Sequence, residues 1–238
     1  MKIKCNFIDQ NLVLQKFFFS KNKNIDSKNE FQKYLKEVKK NIEIILQNIL
    51  EQYQALLYKK IEINLIFAST ELIKNLNKDF RNKDSATDVL SFQNYIIDAN
   101  LLLNDSNYIK KLPSYINLGD IIICLDKLYE NIKNDKYNHI KYDISYNNQN
   151  SEYNHFENDK HNHTIENIKI KSNLIDMQNS DNNEINFHNH FYYMFVHSFL
   201  HLLGFEHEKE DDYIKMELEQ TKIMHIINKK IIIHKFQC

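Results

Sequence analysis

The sequence predicts one domain that combines several helices with a few strands and carries its candidate site on a helix in the C-terminal half. Residues 31–57 place apolar side chains at helical spacing, and residues 61–67 alternate apolar with polar side chains as a half-buried strand does. Residues 195–207, F-V-H-S-F-L-H-L-L-G-F-E-H, set histidines into an apolar helical run. The length of 238 residues suits one domain with an insertion, or at most two small domains.

The other elements of the first 133 residues follow from similar patterns. A possible edge strand occupies residues 2–8, and Ser69 and Thr70 offer an N-cap for a helix that runs towards Arg81. The remaining predicted elements are strands at residues 88–97 and 115–124 and a short helix at residues 125–133.

Residues 134–186 have no structural period. They are rich in asparagine, aspartate, lysine and histidine, and their apolar residues are too sparse for a helix or a strand, so we expect an inserted, largely disordered segment. The histidines in and just after this segment are expected to be solvated side chains rather than a second metal site: His139, His155, His161, His163, His188 and His190.

A final helix is predicted beyond residue 207. The acidic stretch at residues 208–212 suits a helix N-terminus, where the helix dipole favours negative charge. The apolar stripe of this helix is expected to pack into the core and consists of Tyr213, Met216, Ile223, Met224 and Ile227.

The histidine segment has the spacing of metal ligands. His197 and His201 are four residues apart, so on a helix they share one face with their Cβ atoms about 5–6 Å apart. Gly204 suits a left-handed turn that ends the helix and can bring His207 back to the same ion. Three neutral imidazoles with an open fourth position describe a catalytic site for one Zn²⁺ per chain. No small organic cofactor is predicted.

Composition limits the possible partners and location. The net charge of −1 and the near-neutral pI show no global signature of a nucleic-acid binder, so an RNA contact must come from a local basic patch or from the metal. Cys5, Cys124 and Cys238 are far apart and favour neither disulfides nor a second zinc site. Lys16 interrupts the apolar stretch at residues 12–19, so neither a signal peptide nor a membrane span is expected. A cytoplasmic protein, or an organelle-matrix protein in a eukaryote, fits best.

The spacing of the three histidines coincides with that of the metzincin proteases, H-E-x-x-H-x-x-G-x-x-H. In those enzymes a glutamate after the first histidine takes a proton from the zinc-bound water, whereas this chain has Ser198. A metalloprotease is therefore the weakest of the functional alternatives. A dication held by neutral imidazoles keeps its full charge and favours an anionic substrate such as a phosphodiester.

Two further segments accompany the histidines. Residues 76–92 read L-N-K-D-F-R-N-K-D-S-A-T-D-V-L-S-F, and residues 118–124 read L-G-D-I-I-I-C. Together with H-S-F-L-H-L-L-G-F-E-H they resemble the YbeY family of bacterial endoribonucleases, over a little under half of the chain. The resemblance implies an α+β fold: a zincin-like single domain with a small mixed sheet packed with several helices. It also implies zinc-dependent, single-strand-specific RNA cleavage in 16S rRNA 3′-end maturation and ribosome quality control, with ribosomal RNA and the small ribosomal subunit as partners and no membrane.

The resemblance also assigns residues to roles. It implies that His197, His201 and His207 are the zinc ligands and that Arg81, the only arginine of the chain, is the catalytic arginine of the cleft. A surface ion pair is the alternative role for this arginine. Asp88 and Asp120 could each orient a ligand histidine or cap a turn or helix.

The chain also departs from the family pattern. Four side chains differ from the usual family residues, and two insertions are expected, at residues 97–115 and 134–186. The four departures are Ser198 for glycine, Glu206 for aspartate, and Ala86 and Gln93 for proline. Ser198 adds a side chain to the histidine helix, so the packing of that helix is expected to be looser. A ribosome-assembly factor with a mainly structural metal remains the alternative to the nuclease.

Overall fold

The computed structural model describes residues 3–21, 28–53, 56, 59–134 and 182–230. The strands are β1 (Ile3–Asp9), β2 (Lys60–Phe67), β3 (Val89–Gln93) and β4 (Tyr115–Ile123). The helices are α1 (Val13–Lys21), α2 (Lys28–Gln52), α3 (Thr70–Arg81), α4 (Ala99–Asn104), α5 (Ser106–Lys111), α6 (Leu125–Lys133), α7 (Asn182–Leu202) and α8 (Glu210–Lys230).

The four strands form one mixed sheet in the order β1-β2-β4-β3. β1, β2 and β4 are parallel, and β3 is an antiparallel edge strand next to β4. The predicted edge position of the first strand is confirmed. In β4 the register against β2 shifts beside Leu118, which is the mark of a bulge. Gly119 follows the bulge with φ 135° and pairs with Gln93, the last residue of β3.

The two faces of the sheet are covered differently. The main core lies between one face and a layer of helices in which α2 contacts β1, α7 contacts β3 and β4, and α8 packs on α2 and α7. On the other face, α3 covers a smaller apolar cluster: Ala68, Ile73, Leu90, Ile122 and Cys124. The protein is therefore a small α+β domain in which α7 is held directly against the β3 edge of the sheet.

The helix caps agree with the sequence. Ser69 Oγ accepts a hydrogen bond from the amide of Leu72 and caps α3 as predicted. Asn82 follows α3 as its C-cap in a left-handed conformation (φ 56°), its amide donates to the carbonyl of Lys78, and the next amide, of Lys83, turns back to the carbonyl of Asn77. α3 therefore ends with Arg81 in its last turn.

Several element ends differ from the prediction. β3 ends at Gln93 rather than at residue 97, because β4 is bulged at Leu118 beyond this pair. α2 runs from Lys28 to Gln52, and residue 57 lies outside the described residues. No element was predicted for α1, although Leu14, Phe17 and Phe18 are buried at helical spacing.

Two predictions about the C-terminal half need correction. Residues 182–186, assigned to the disordered insertion, form the first turns of α7. Once buried anchors such as Phe187 fix a helix, elongation adds one hydrogen bond per residue and extends it into polar sequence. Tyr213 does not pack into the core: its side chain is 51% exposed, because it lies in the acidic, solvated first turn of α8. Residues 135–181 and the side chain of Ile227 lie outside the described part of the chain.

Candidate metal centre

The turn after α7 brings the third histidine back to the first two. The amide of Gly204 donates to the carbonyl of His201 (2.9 Å), and the amide of Phe205 donates to that of Leu200 (3.1 Å). These two bonds form the Schellman arrangement, which requires a left-handed residue; Gly204 has φ 85°. His207 therefore lies beside the others, with its ring centroid 5.4 Å from that of His197 and 4.9 Å from that of His201.

The three histidines form a group whose potential ligand atoms all lie within 4.8 Å of one another. Among the described residues it is the one group of three or more His, Cys, Asp or Glu side chains with this geometry. His188 and His190 lie further back on α7 and do not join it, but the expectation of a solvated side chain is wrong for His190, which is buried between apolar neighbours on that helix. His139, His155, His161 and His163 are not described.

The ring orientations are set by hydrogen bonds to Nδ1. His201 Nδ1 lies 2.9 Å from the carbonyl oxygen of Phe205, which can only accept, so Nδ1 carries the proton. His197 Nδ1 lies 3.1 Å from Oε1 of Gln220, and the amide of Gln220 donates in turn to the carbonyl of Tyr193 (3.2 Å). Both rings therefore leave Nε2 free to bind an ion.

Gln220 is the site residue that sequence reasoning missed. It lies on α8, is almost fully buried, and stands 23 positions after His197 in the chain. Its position four residues after Met216 and three before Ile223 places a polar side chain within the apolar stripe of α8. A glutamine among these apolar residues is a signal of a buried side-chain amide with a specific partner, because buried amides are normally hydrogen-bonded.

The environment keeps the two helical histidines neutral at pH 7. Burial lowers the pKa of His197, with a further lowering from the nearby His207. For His201, burial first and then the neighbouring His197 and His207 lower the pKa to about 4, while the hydrogen bond to Phe205 opposes the shift. Neutral imidazole is the form that binds a metal, so these shifts prepare both rings as ligands.

The donor arrangement fits a tetrahedral metal ion. Nε2 of His197 and Nε2 of His201 are 3.2 Å apart, and both carry lone pairs because the protons are on Nδ1. Two lone pairs that face each other repel unless a cation lies between them. Ligand nitrogens about 2.0–2.1 Å from a tetrahedral zinc would be separated by roughly 3.3 Å. The residues present therefore fit the predicted ion.

Arg81 lies at the exposed C-terminal end of α3, and its positive charge is near enough to contribute to the lowered pKa of His201. Within the described part of the chain, Arg81 forms no ion pair. The alternative role as a partner in a surface ion pair therefore has no support among these residues. Its guanidinium remains available to an anionic ligand next to the histidines.

Neither Asp88 nor Asp120 orients His197 or His201. The Asp88 carboxylate accepts hydrogen bonds from the amide of Val89 (2.9 Å) and from the side chain of Asn131 (3.1 Å), so it anchors the start of β3 to α6. Asp120 accepts from the side chain of Asn64 on β2 (2.7 Å). The Nδ1 atoms of His197 and His201 are bonded elsewhere, although the charge of Asp88 slightly opposes the lowering of the pKa of His197.

The two departures beside the histidines have distinct environments. Ser198 is fully buried, and its hydroxyl has no hydrogen-bond partner among the described residues. The expected loosening of the helix packing is not evident, because Phe195, Phe199 and Leu202 on the same helix are also fully buried. Glu206 is exposed, and its carboxylate lies 3.8 Å from His201 Nδ1, which already donates to the nearer carbonyl of Phe205.

The predicted insertion at residues 97–115 lies against the turn that follows α7. It contains α4 and α5, and a Cβ atom on Gly204 would stand 1.9 Å from the carbonyl oxygen of Ile97. Gln93, just before this segment, donates its side-chain amide to the carbonyl of His201 (2.7 Å). A groove of about 350 Å³ lies between the segment and the turn, lined by residues that include Leu103 and Glu206.

Replacing Gln220 by leucine is expected to weaken zinc binding by about 10- to 100-fold, because the His197 ring loses the acceptor that holds its Nε2 towards the ion. A competition titration against a chromophoric zinc chelator measures the change. Gln47→Leu removes an exposed glutamine from α2 and serves as the matched control. Wild-type zinc affinity in Gln220→Leu would show that Gln220 does not orient the ligand.

The fold and this cluster define a class: a small α+β protein with a three-histidine candidate metal centre beside an arginine. No helix of the described chain is long and apolar enough to cross a membrane.

The profile of the endoribonuclease YbeY family matches residues 24–147 and 143–228. The chain belongs to the YbeY family.

Two sequence relatives, of Finegoldia magna and Pelagibacter ubique, agree with this assignment. Endoribonuclease YbeY of Finegoldia magna is 30% identical over 166 residues, which cover 68% of this chain and 67% of that protein. The enzyme of Pelagibacter ubique is 29% identical over 210 residues, 87% of this chain and 97% of that protein. The solution structure of TM1509 from Thermotoga maritima is 17% identical, with a TM-score of 0.41 over 95% of this chain and 91% of that one.

Proposed function

We propose that the protein is a zinc-dependent, single-strand-specific endoribonuclease that acts in the cytoplasm on the 3′ end of 16S rRNA, in its maturation and in ribosome quality control. Its family is that of an RNA-cleaving enzyme, which supports a phosphodiester as the substrate. The small ribosomal subunit is the proposed partner. One observation carries the proposal: the Nε2 atoms of His197 and His201 lie 3.2 Å apart, in a group of three histidines whose potential ligand atoms all lie within 4.8 Å of one another.

In this proposal His197, His201 and His207 would hold one zinc ion, which when bound would act as a Lewis acid and make a water molecule more acidic. Gln220 and the carbonyl of Phe205 keep the Nδ1 protons of the first two rings in place. The guanidinium of Arg81 binds two oxygens of the scissile phosphate and stabilises the negative charge that grows during cleavage. The attacking oxygen is that of water or of the neighbouring 2′-hydroxyl. A cyclic phosphate end group on the product would exclude direct attack by water.

Arg81→Ala is expected to lower the single-turnover rate of cleavage of a single-stranded RNA by about a hundredfold, because a donor that stabilises the developing charge is lost. Arg81→Lys keeps the positive charge but cannot bind two phosphate oxygens in the same plane, so its cleavage rate is expected to lie between those of the wild type and Arg81→Ala. Zinc content and melting temperature are expected to stay unchanged, since the side chain is exposed and unpaired among the described residues.

The control for this experiment is Lys36→Ala, which removes an exposed cation from α2. Lys36 is close in sequence to Tyr34, whose ring contacts His188 at the end of α7 opposite to the histidine cluster. Equal rates for Arg81→Ala and the wild type would remove Arg81 from the mechanism. The nuclease function itself fails if the zinc-loaded wild type leaves single-stranded RNA as intact as His201→Ala does. Activity in cells that survives Arg81→Lys unchanged would favour the assembly-factor alternative.

A further inference from the structure

We propose that Phe80, supported by Phe92, is a stacking platform for one unpaired base of the RNA next to the scissile phosphate. The inference rests on the proposed nuclease function and names the contact that selects single-stranded substrate. The Phe80 side chain is 66% accessible to solvent. The ring is nevertheless held: it meets the ring of Phe92 edge to face, with centroids 5.0 Å apart and planes at 68°.

The exposure of Phe80 is unusual for its place on the helix. α3 packs on the sheet through Ile73 and Leu76, and Phe80 follows Ile73 by seven residues and Leu76 by four, so it lies on the same stripe. Ile73 is fully buried, whereas Phe80 is mostly exposed and meets the ring of Phe92, which itself packs against the cluster. The flat apolar ring of Phe80 is therefore exposed, although the preceding residues of the same stripe pack against the sheet.

Both rings are tied to the candidate metal centre by their chain neighbours. Phe80 directly precedes Arg81, the last residue of α3. Phe92 directly precedes Gln93, whose side chain donates to the carbonyl of His201. The aromatic pair thus lies on the edge strand β3 and on the end of α3, which border the three histidines. Because the two surfaces adjoin, the group that stacks on Phe80 belongs to the same RNA that binds at the histidines. With a phosphate at the arginine, a base is the adjoining group of an RNA chain.

The chemistry of the platform explains a preference for single strands. Every base has a flat face that stacks on an aromatic ring, so the contact tolerates any sequence. In a duplex both faces of each base are already covered by neighbouring base pairs, whereas an unpaired base can be turned onto the protein. Phe80 therefore offers its open face only to RNA that is locally unpaired.

The test uses full-length zinc-loaded protein and a set of single-stranded RNAs with 2-aminopurine placed at one position at a time. Stopped-flow fluorescence before cleavage is expected to show quenching at one position near the cut in the wild type, and no quenching there with Phe80→Leu. Phe80→Leu is also expected to weaken RNA binding and raise KM by about tenfold, within the range for loss of one base–aromatic stack, with little change in kcat. Phe80→Trp is expected to restore binding.

Replacing the quenched base by an abasic site provides a second measurement. The abasic site is expected to weaken binding by the wild type about tenfold and to leave binding by Phe80→Leu unchanged. Leu12→Ala is the control, because Leu12 is 55% exposed in the short turn that follows β1, the strand on the opposite edge of the sheet. Equal quenching and equal affinity in Phe80→Leu and the wild type would overturn the inference while cleavage stands. Absence of cleavage by every variant, the wild type included, would instead overturn the proposed function.

Discussion

His201→Ala is expected to release the metal and to lower RNA cleavage by at least about a thousandfold, since each tenfold loss corresponds to 1.36 kcal/mol and a metal ion supplies several kcal/mol to such a transition state. The alanine removes Nε2, which lies 3.2 Å from its counterpart on His197, and leaves two ligands. Metal content measured by mass spectrometry and single-turnover cleavage report the two effects. His188→Ala, on the same helix but outside the cluster, is the control.

The fold is expected to survive this substitution. α7 is held by fully buried apolar side chains such as Phe195, Phe199 and Leu202, each worth roughly 1.5–3 kcal/mol, whereas the ring of His201 is partly exposed. The far-UV circular dichroism of His201→Ala, and of the wild type after chelation, should therefore match that of the zinc-loaded wild type. Stoichiometric zinc in His201→Ala would contradict the assignment of the ligands. Unfolding on chelation would favour a structural metal.

Gly204→Ala is expected to destabilise the metal-free protein by at least about 3 kcal/mol. Part of the cost, about 1–2 kcal/mol, comes from a side chain at φ 85°. The rest comes from overpacking, because the new Cβ atom would stand 1.9 Å from the carbonyl oxygen of Ile97 and the backbone must shift. Urea denaturation measures the loss. Zinc affinity is expected to fall as well, since this turn places His207 beside the other two histidines.

A matched substitution separates the two causes. Asn82→Ala also puts alanine in the left-handed conformation at a helix C-terminus, with φ 56°, but adds no atom because asparagine already has a Cβ. It is expected to cost about 1 kcal/mol, through the loss of a side chain that tolerates this conformation. If Gly204→Ala cost no more than Asn82→Ala, the close approach of Ile97 would have no energetic role.

The elements that the sequence predicted well depend on local periodicity. The strand at residues 61–67 and the helix capped by Ser69 repeat their apolar residues along one face, and both occur in the structure within a residue or two of the predicted ends. The failures have tertiary causes. β3 stops at Gln93 because its partner β4 is bulged, and α7 starts at Asn182 because burial further along the helix extends it.

The sequence by itself determined the core of the candidate site. The four-residue spacing of His197 and His201 puts both rings on one helical face, and Gly204 ends that helix, so backbone geometry alone brings His207 back. Only the tertiary structure decided what surrounds these rings. Gln220 on α8 and Arg81 on α3 come from distant parts of the chain, and their approach to the histidines depends on how the helices pack, which no local period encodes.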